Sequence, residues 1–147
     1  MTGPLHAKRI RRPAVLAACA GLVACVLTGC GHVLPQLPTA IETEFKIDIS
    51  TTQAPGNTTF VFSNAGSLTH EVLVFRPSLP ENQLAVDGDG NLSEDAAGMN
   101  KISDGDNINP GQTQTRAVDL TTPGRYLFVC NLPGHYKAGM FTWVTVK

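Results

Sequence analysis

Cysteine is scarce in the body of this chain. Its 147 residues hold four cysteines, but Cys19 and Cys25 lie in an apolar leader and Cys30 closes that leader. Cys130 alone remains beyond it, so no internal disulfide can form there. A lone thiol in an oxidising compartment needs a reason. Positive charge is also short. Four of the eleven Lys and Arg, and none of the twelve Asp and Glu, fall in residues 1–29, which leaves seven against twelve and a net charge of −5. With no basic patch to meet phosphate, no nucleic-acid partner is expected. There is no sustained helical periodicity and no internal repeat. The apolar run Ala14–Leu27 is shorter than the ~20 residues a membrane span needs. No Ser/His/Asp set or paired-carboxylate pattern stands out, so the chain is not expected to be an enzyme.

What is present begins with targeting. Lys8, Arg9, Arg11 and Arg12 form a basic region ahead of the apolar run. The run ends in Leu27-Thr28-Gly29-Cys30, which resembles a bacterial lipobox, where cleavage precedes the cysteine and its sulfur is acylated. Residues 1–29 are therefore expected to be a lipoprotein signal peptide and Cys30 the lipidation site. That places the protein on the extracytoplasmic side of a cell membrane. Arg11-Arg12 alone does not decide between general and twin-arginine export. Residues 30–43, with Pro35 and Pro38 and no periodic pattern, read as a tether.

Residues 44–147 read as short strands separated by Pro/Gly turns. Strands are expected at Glu44–Ile49, Thr58–Phe62, Leu68–Phe75, Thr113–Leu120, Arg125–Cys130 and Phe141–Lys147. That pattern predicts an all-β sandwich. Phe45, Phe60, Phe62, Leu73, Phe75, Tyr126, Phe128 and Trp143 are the core candidates. Pro80 to Pro110 is rich in Gly, Asp and Asn and is expected to be a solvated acidic excursion. Its Asp87-Gly-Asp89-Gly-Asn91 run invites a calcium-loop reading. It fails, because Leu92 and Gly98 stand where an EF-hand loop requires Gly and Glu. Met99 is expected to pack rather than to ligate.

The chemistry concentrates in Cys130-Asn-Leu-Pro-Gly-His135-Tyr-Lys-Ala-Gly-Met140. A thiolate, an imidazole and a thioether recur at even steps, Cys-x4-His-x4-Met, between two strands. Thiolate and thioether select soft ions, and a His2Cys set with a weak axial Met suits copper. A second histidine must come from elsewhere. His32 lies close to the expected mature N-terminus, whereas His70 opens a strongly β-like run, so His70 is the candidate.

These residues resemble the cupredoxins, the small blue copper proteins, and the Cys-x4-His-x4-Met spacing is similar to that of rusticyanin, auracyanin and sulfocyanin. The resemblance spans about Glu44 to Lys147. It implies a Greek-key β-sandwich with one type 1 copper ion held by His70, Cys130, His135 and Met140. It also implies a monomer that passes single electrons between redox protein partners. Met140 in the axial place implies a fairly high potential. His135 would be the electron exit, with Leu132, Pro133, Tyr136 and Ala138 as a docking patch, unless Leu132 and Tyr136 simply pack the loop. Many cupredoxins follow the first histidine with Asn or Ser, which ties the two ligand loops together. Here Glu71 follows, and the tie is left open. A multicopper oxidase would need more clustered histidines, and a binuclear site a second loop cysteine. Copper buffering or delivery is the alternative function, against which the absence of Met- or His-rich segments counts. A metal-free interaction module and a zinc site fit the ligand set less well.

Overall fold

The computed structural model describes residues 36–147. The expected signal peptide, Cys30 and the first part of the tether lie outside the described residues. Among the described residues, nine strands build two sheets. They are β1 (Thr39–Thr43), β2 (Lys46–Asp48), β3 (Thr52–Gln53), β4 (Asn57–Asn64), β5 (Leu73–Phe75), β6 (Lys101–Ser103), β7 (Thr113–Asp119), β8 (Gly124–Val129) and β9 (Phe141–Val146). One sheet has the order β2-β1-β4-β7 and the other β3-β9-β8-β5-β6. Pairing is antiparallel except for β1 with β4 and β3 with β9. The only helical element among the described residues is a 3-10 turn at Glu81–Gln83, and none of their helices could cross a membrane.

Alternation along β4 and β8 sends one set of side chains between the sheets. Phe60, Phe62, Val74, Val118, Phe128 and Val144 meet there, all fully buried. Phe60 stacks against Phe62 and Phe128 at centroid distances of 5.9 and 5.6 Å. Burying each such ring stabilises the sandwich by roughly 1.5–3 kcal/mol. Tyr126 is buried too, and its hydroxyl donates to the Thr122 carbonyl at 2.8 Å.

Three expectations need correction. The tether does not run to residue 43: Thr39–Thr43 is a strand whose Ala40 and Glu42 point inward, fully buried. Glu44–Ile49 is not one strand. β1 pairs back on β2 through Thr43↔Lys46, so Glu44 and Phe45 form a two-residue turn and Phe45 is exposed rather than core. The third expected strand is shorter. Only Leu73–Phe75 is regular, and His70 makes an isolated bridge to Ile108. Trp143 is half-buried, with Arg125 over its ring.

The acidic excursion is no free loop. Leu73, Phe75, Leu127 and Val129 form a second apolar cluster, and Leu84 and Leu92 of the excursion are buried on it, with Leu79 and Met99 packed alongside. β5 is buried at all three positions. A strand that is apolar on both faces needs cover on both, and residues 79–99 supply it. Met99 packs there, as expected. Asp87 stays exposed, and its carboxylate accepts the N–H groups of Asp89 and Asn91 at 3.0 and 2.9 Å, closing its own turn.

Candidate metal centre

At one end of the sandwich, β4 delivers the chain into the segment that carries His70. Asn64, buried at the strand's end, organises this segment. Its Nδ2 donates to the carbonyls of Leu68 and Ile108, both at 2.7 Å, and its Oδ1 accepts the Gly66 N–H at 2.8 Å. The backbones of His70 and Ile108 exchange hydrogen bonds at 3.1 and 2.7 Å. His70 is thereby fixed with its imidazole fully buried.

Gly66 is required by proximity. A Cβ there would lie 2.6 Å from Glu44 Oε1 and 3.1 Å from His70 Nε2. Glu44 cannot move away cheaply, because its carboxylate accepts from the Ser67 and Leu68 N–H groups and the Ser67 hydroxyl. These bonds hold its pKa down to about 2. Gly66→Ala is therefore expected to lower the unfolding midpoint of the metal-free protein by several degrees, the size of a ~1–3 kcal/mol overpacking cost. Thermal unfolding followed by circular dichroism measures it; an unchanged midpoint counts against this packing.

The second ligand segment closes on itself. Cys130 N–H donates to the Met140 carbonyl and Met140 N–H to the His135 carbonyl, both at 3.0 Å. His135 N–H donates to Leu132 at 2.9 Å. Gly139, at φ 94°, takes the left-handed turn that sends Met140 back inward. Cys130 and Met140 are both fully buried, and Met140 joins the same core cluster as Cys130.

The two segments converge. Cys130 Sγ lies 3.2 Å from His135 Nδ1, and His70 Nδ1 lies 3.4 Å from His135 Nδ1. All three potential ligand atoms fall within 4.8 Å of one another. A metal at about 2.0–2.3 Å from three coplanar donors spaces those donors roughly 3.5–4 Å apart. The separations of 3.2 and 3.4 Å are slightly shorter than this, so the two Nδ1 atoms and the sulfur are gathered at one point and would spread by a few tenths of an ångström around such an ion. Burial depresses both histidines, with His135 adding to the effect on His70, so the imidazoles are held neutral as ligands must be. Burial also pushes the Cys130 thiol up to about 11, partly offset by the Glu71 and Leu132 backbone N–H groups facing its sulfur. A cation must therefore displace a proton from Cys130.

Several working residues carried no recognisable sequence signal. Glu71, the residue after His70, is half-buried; its carboxyl is raised by burial and by Glu94 and lowered by the nearby Asn131 N–H. Asn131 and Asn91 then bind the covering segment to the ligand loop. Asn131 Oδ1 accepts the Leu92 N–H at 2.8 Å, and its Nδ2 donates to the Leu92 carbonyl and to Glu94. Asn91 Oδ1 accepts the Gly134 N–H at 2.9 Å. Of the expected docking patch, Leu132 packs on the inter-sheet core and Tyr136 on the second cluster, 5.3 Å from Phe141. Only Pro133 and Ala138 of those four are exposed. Phe45 instead stands edge-on to His135, 5.4 Å between centroids.

A two-sheet Greek-key-type sandwich, with two imidazole Nδ1 atoms and one buried thiol gathered at one end, defines the class of cupredoxins, the blue copper proteins. Within it, a sulfocyanin (SoxE) domain is recognised over residues 36–147, and the chain belongs to that family. Members of this class take one type 1 copper ion and generally serve as electron carriers rather than enzymes. Among solved structures, the chain is similar to dithionite-reduced auracyanin from the photosynthetic bacterium Roseiflexus castenholzii, with 24% identity and a TM-score of 0.55 over 74% of this chain and 94% of that one. It is also similar to auracyanin A of Chloroflexus aurantiacus, described as a "blue" copper protein, with 19% identity and a TM-score of 0.51 over 74% and 99%. A multicopper oxidase from Campylobacter jejuni shares the fold at 13% identity and a TM-score of 0.50, but only 30% of that chain is covered. No curated protein matches.

Proposed function

We propose that this chain carries single electrons between redox protein partners outside the cytoplasm, as a monomer tethered to a membrane by lipid on Cys30. Residues 1–29 are the export signal, and the copper domain occupies 36–147. His70, Cys130, His135 and Met140 are the ligands. The observation that carries this reading is the convergence of His70 Nδ1, His135 Nδ1 and the Cys130 sulfur, with 3.2 and 3.4 Å between neighbours.

Copper supplies one-electron exchange between its two oxidation states. The chain's part is to prevent rearrangement. Asn64 and the His70–Ile108 bridge hold one imidazole, and the 130–140 hydrogen-bond ring holds the other and the sulfur. The Glu71 and Leu132 N–H groups favour the thiolate. Burial of Cys130 and Met140 keeps water out, and that apolar shell is a principal lever on potential. His135, half-buried, is the ligand nearest solvent.

The purified chain, given Cu(II), should develop an intense visible thiolate-to-copper band that ascorbate bleaches and an oxidant restores. Colourless copper binding would favour copper handling, and no binding a metal-free module; either outcome overturns the electron-transfer reading.

A further inference from the structure

Phe45 breaks two local rules at once. It is the only non-glycine residue with positive φ among the described residues, at 60°. Left-handed backbone is disfavoured for any side chain with a Cβ, and a bulky one is a genuine outlier. Two-residue hairpin turns normally place Asn and Gly there. The strain also brings no core burial, for the ring is 43% exposed. Its aromatic partner is His135, met edge-to-face at 5.4 Å and 88°. Backbone strain that the surroundings hold in place is a pointer to function.

The surroundings do hold it. Glu44, the other turn residue, is fastened to the Ser67 and Leu68 N–H groups and the Ser67 hydroxyl. The turn is thus anchored on the segment that carries His70 and laid over the ring of His135. It spans both ligand segments from outside. An outward swing of the His135 imidazole must displace Phe45.

We propose that Phe45 is a positioning residue that caps His135, keeping its Nδ1 aimed at Cys130 and His70 and closing the solvent side of the site. This rests on the copper reading. Phe45 acts through the ligand and takes no part in binding the ion. Losing an aromatic pair of this kind changes an equilibrium by about 2- to 13-fold.

The test uses copper-loaded full chain and the rate at which bathocuproine disulfonate withdraws Cu(I). F45A and F45G should each release copper several-fold faster, by about tenfold at most, while F45Y stays near the wild-type rate. F45G also relieves the positive φ, so its metal-free unfolding midpoint should hold or rise. A purely structural Phe45 would instead lower that midpoint. In metal-free protein the His135 ring-proton NMR signals should carry an aromatic shift that F45A removes. A wild-type release rate in F45A, or His135 ring-proton signals that F45A leaves at their wild-type positions, overturns the proposal. A wild-type chain that takes up no copper overturns the metal reading instead, and the metal-free His135 signals then still decide whether Phe45 caps that ring.

Discussion

Cys130→Ser is expected to abolish the intense visible band of the copper-loaded protein while leaving the fold in place. The colour requires a thiolate ligand, and Cys130 is the only cysteine among the described residues. Its sulfur stands 3.2 Å from His135 Nδ1 and is fully buried, so no external sulfur can replace it. A serine hydroxyl is a harder donor and does not ionise at any pH the protein survives. Copper affinity should fall by more than about 100-fold, beyond the 10–100-fold that loss of an outer partner of a ligand costs. The fold should tolerate the change. The side chain shrinks only slightly, and the Glu71 and Leu132 N–H groups that face the sulfur can donate to the hydroxyl. The cost is then about 1–2 kcal/mol, a few degrees in the metal-free midpoint. Absorption spectra and thermal unfolding of the same preparation check both halves. A persisting band would remove Cys130 from the ligand set.

The ligand segment was legible because its chemistry is local. Cys130, His135 and Met140 sit within eleven residues between two alternating strands, and Pro/Gly punctuation forces a loop between them. Phe60 and Phe62 were legible for a similar reason, since alternation within one strand fixes their common face. What failed was alternation carried across a turn. Phe45, Ile47 and Ile49 share a period, but the chain reverses at Glu44–Phe45, which puts Phe45 outside. β1 was hidden because an acidic residue, Glu42, occupies an inward position and Pro38 precedes the strand. The cover over β5 and β8 left half a signal. The unbroken run Leu73-Val-Phe75 announces a strand buried on both faces. Nothing in the sparse Leu84 and Leu92 announces what buries it. Asn91 and Asn131 reach partners 37 to 43 residues distant, and an amide side chain does not name its partner.

Glu42 sets the second large effect. Its carboxyl is fully buried on the inner face of β1, and neither oxygen has a hydrogen-bond partner among the described residues. Arg116 is the cation whose charge favours the ionised form, yet its donors are engaged elsewhere. Nε donates to Ser103 at 2.8 Å, the two other nitrogens bond Gln114 and the Val72 carbonyl, and the guanidinium lies over Phe62 at 3.9 Å. Desolvation therefore wins, and the pKa of Glu42 rises from 4.5 to about 7 despite Arg116. The sign follows from proton linkage. Between those pH values the folded state keeps a proton that the unfolded state has lost, so stability falls as pH rises. The penalty is absent below about pH 4.5 and complete above about pH 7. Its full size is about 3 kcal/mol. The neutral histidines push the other way, because the unfolded chain protonates them first as pH falls. Comparison with a variant isolates Glu42 from them. In metal-free protein, urea unfolding of Glu42→Gln should track the wild type near pH 4.5–5 and exceed it by about 3 kcal/mol at pH 8. Parallel pH profiles would show that Glu42 bears no such penalty. The charge also reaches the site, for Glu42 is among the groups that raise the Cys130 thiol. An inward carboxylate that costs stability at neutral pH, set where its field acts on the ligand sulfur, makes the stability of this sandwich and the electrostatics of its thiol one problem.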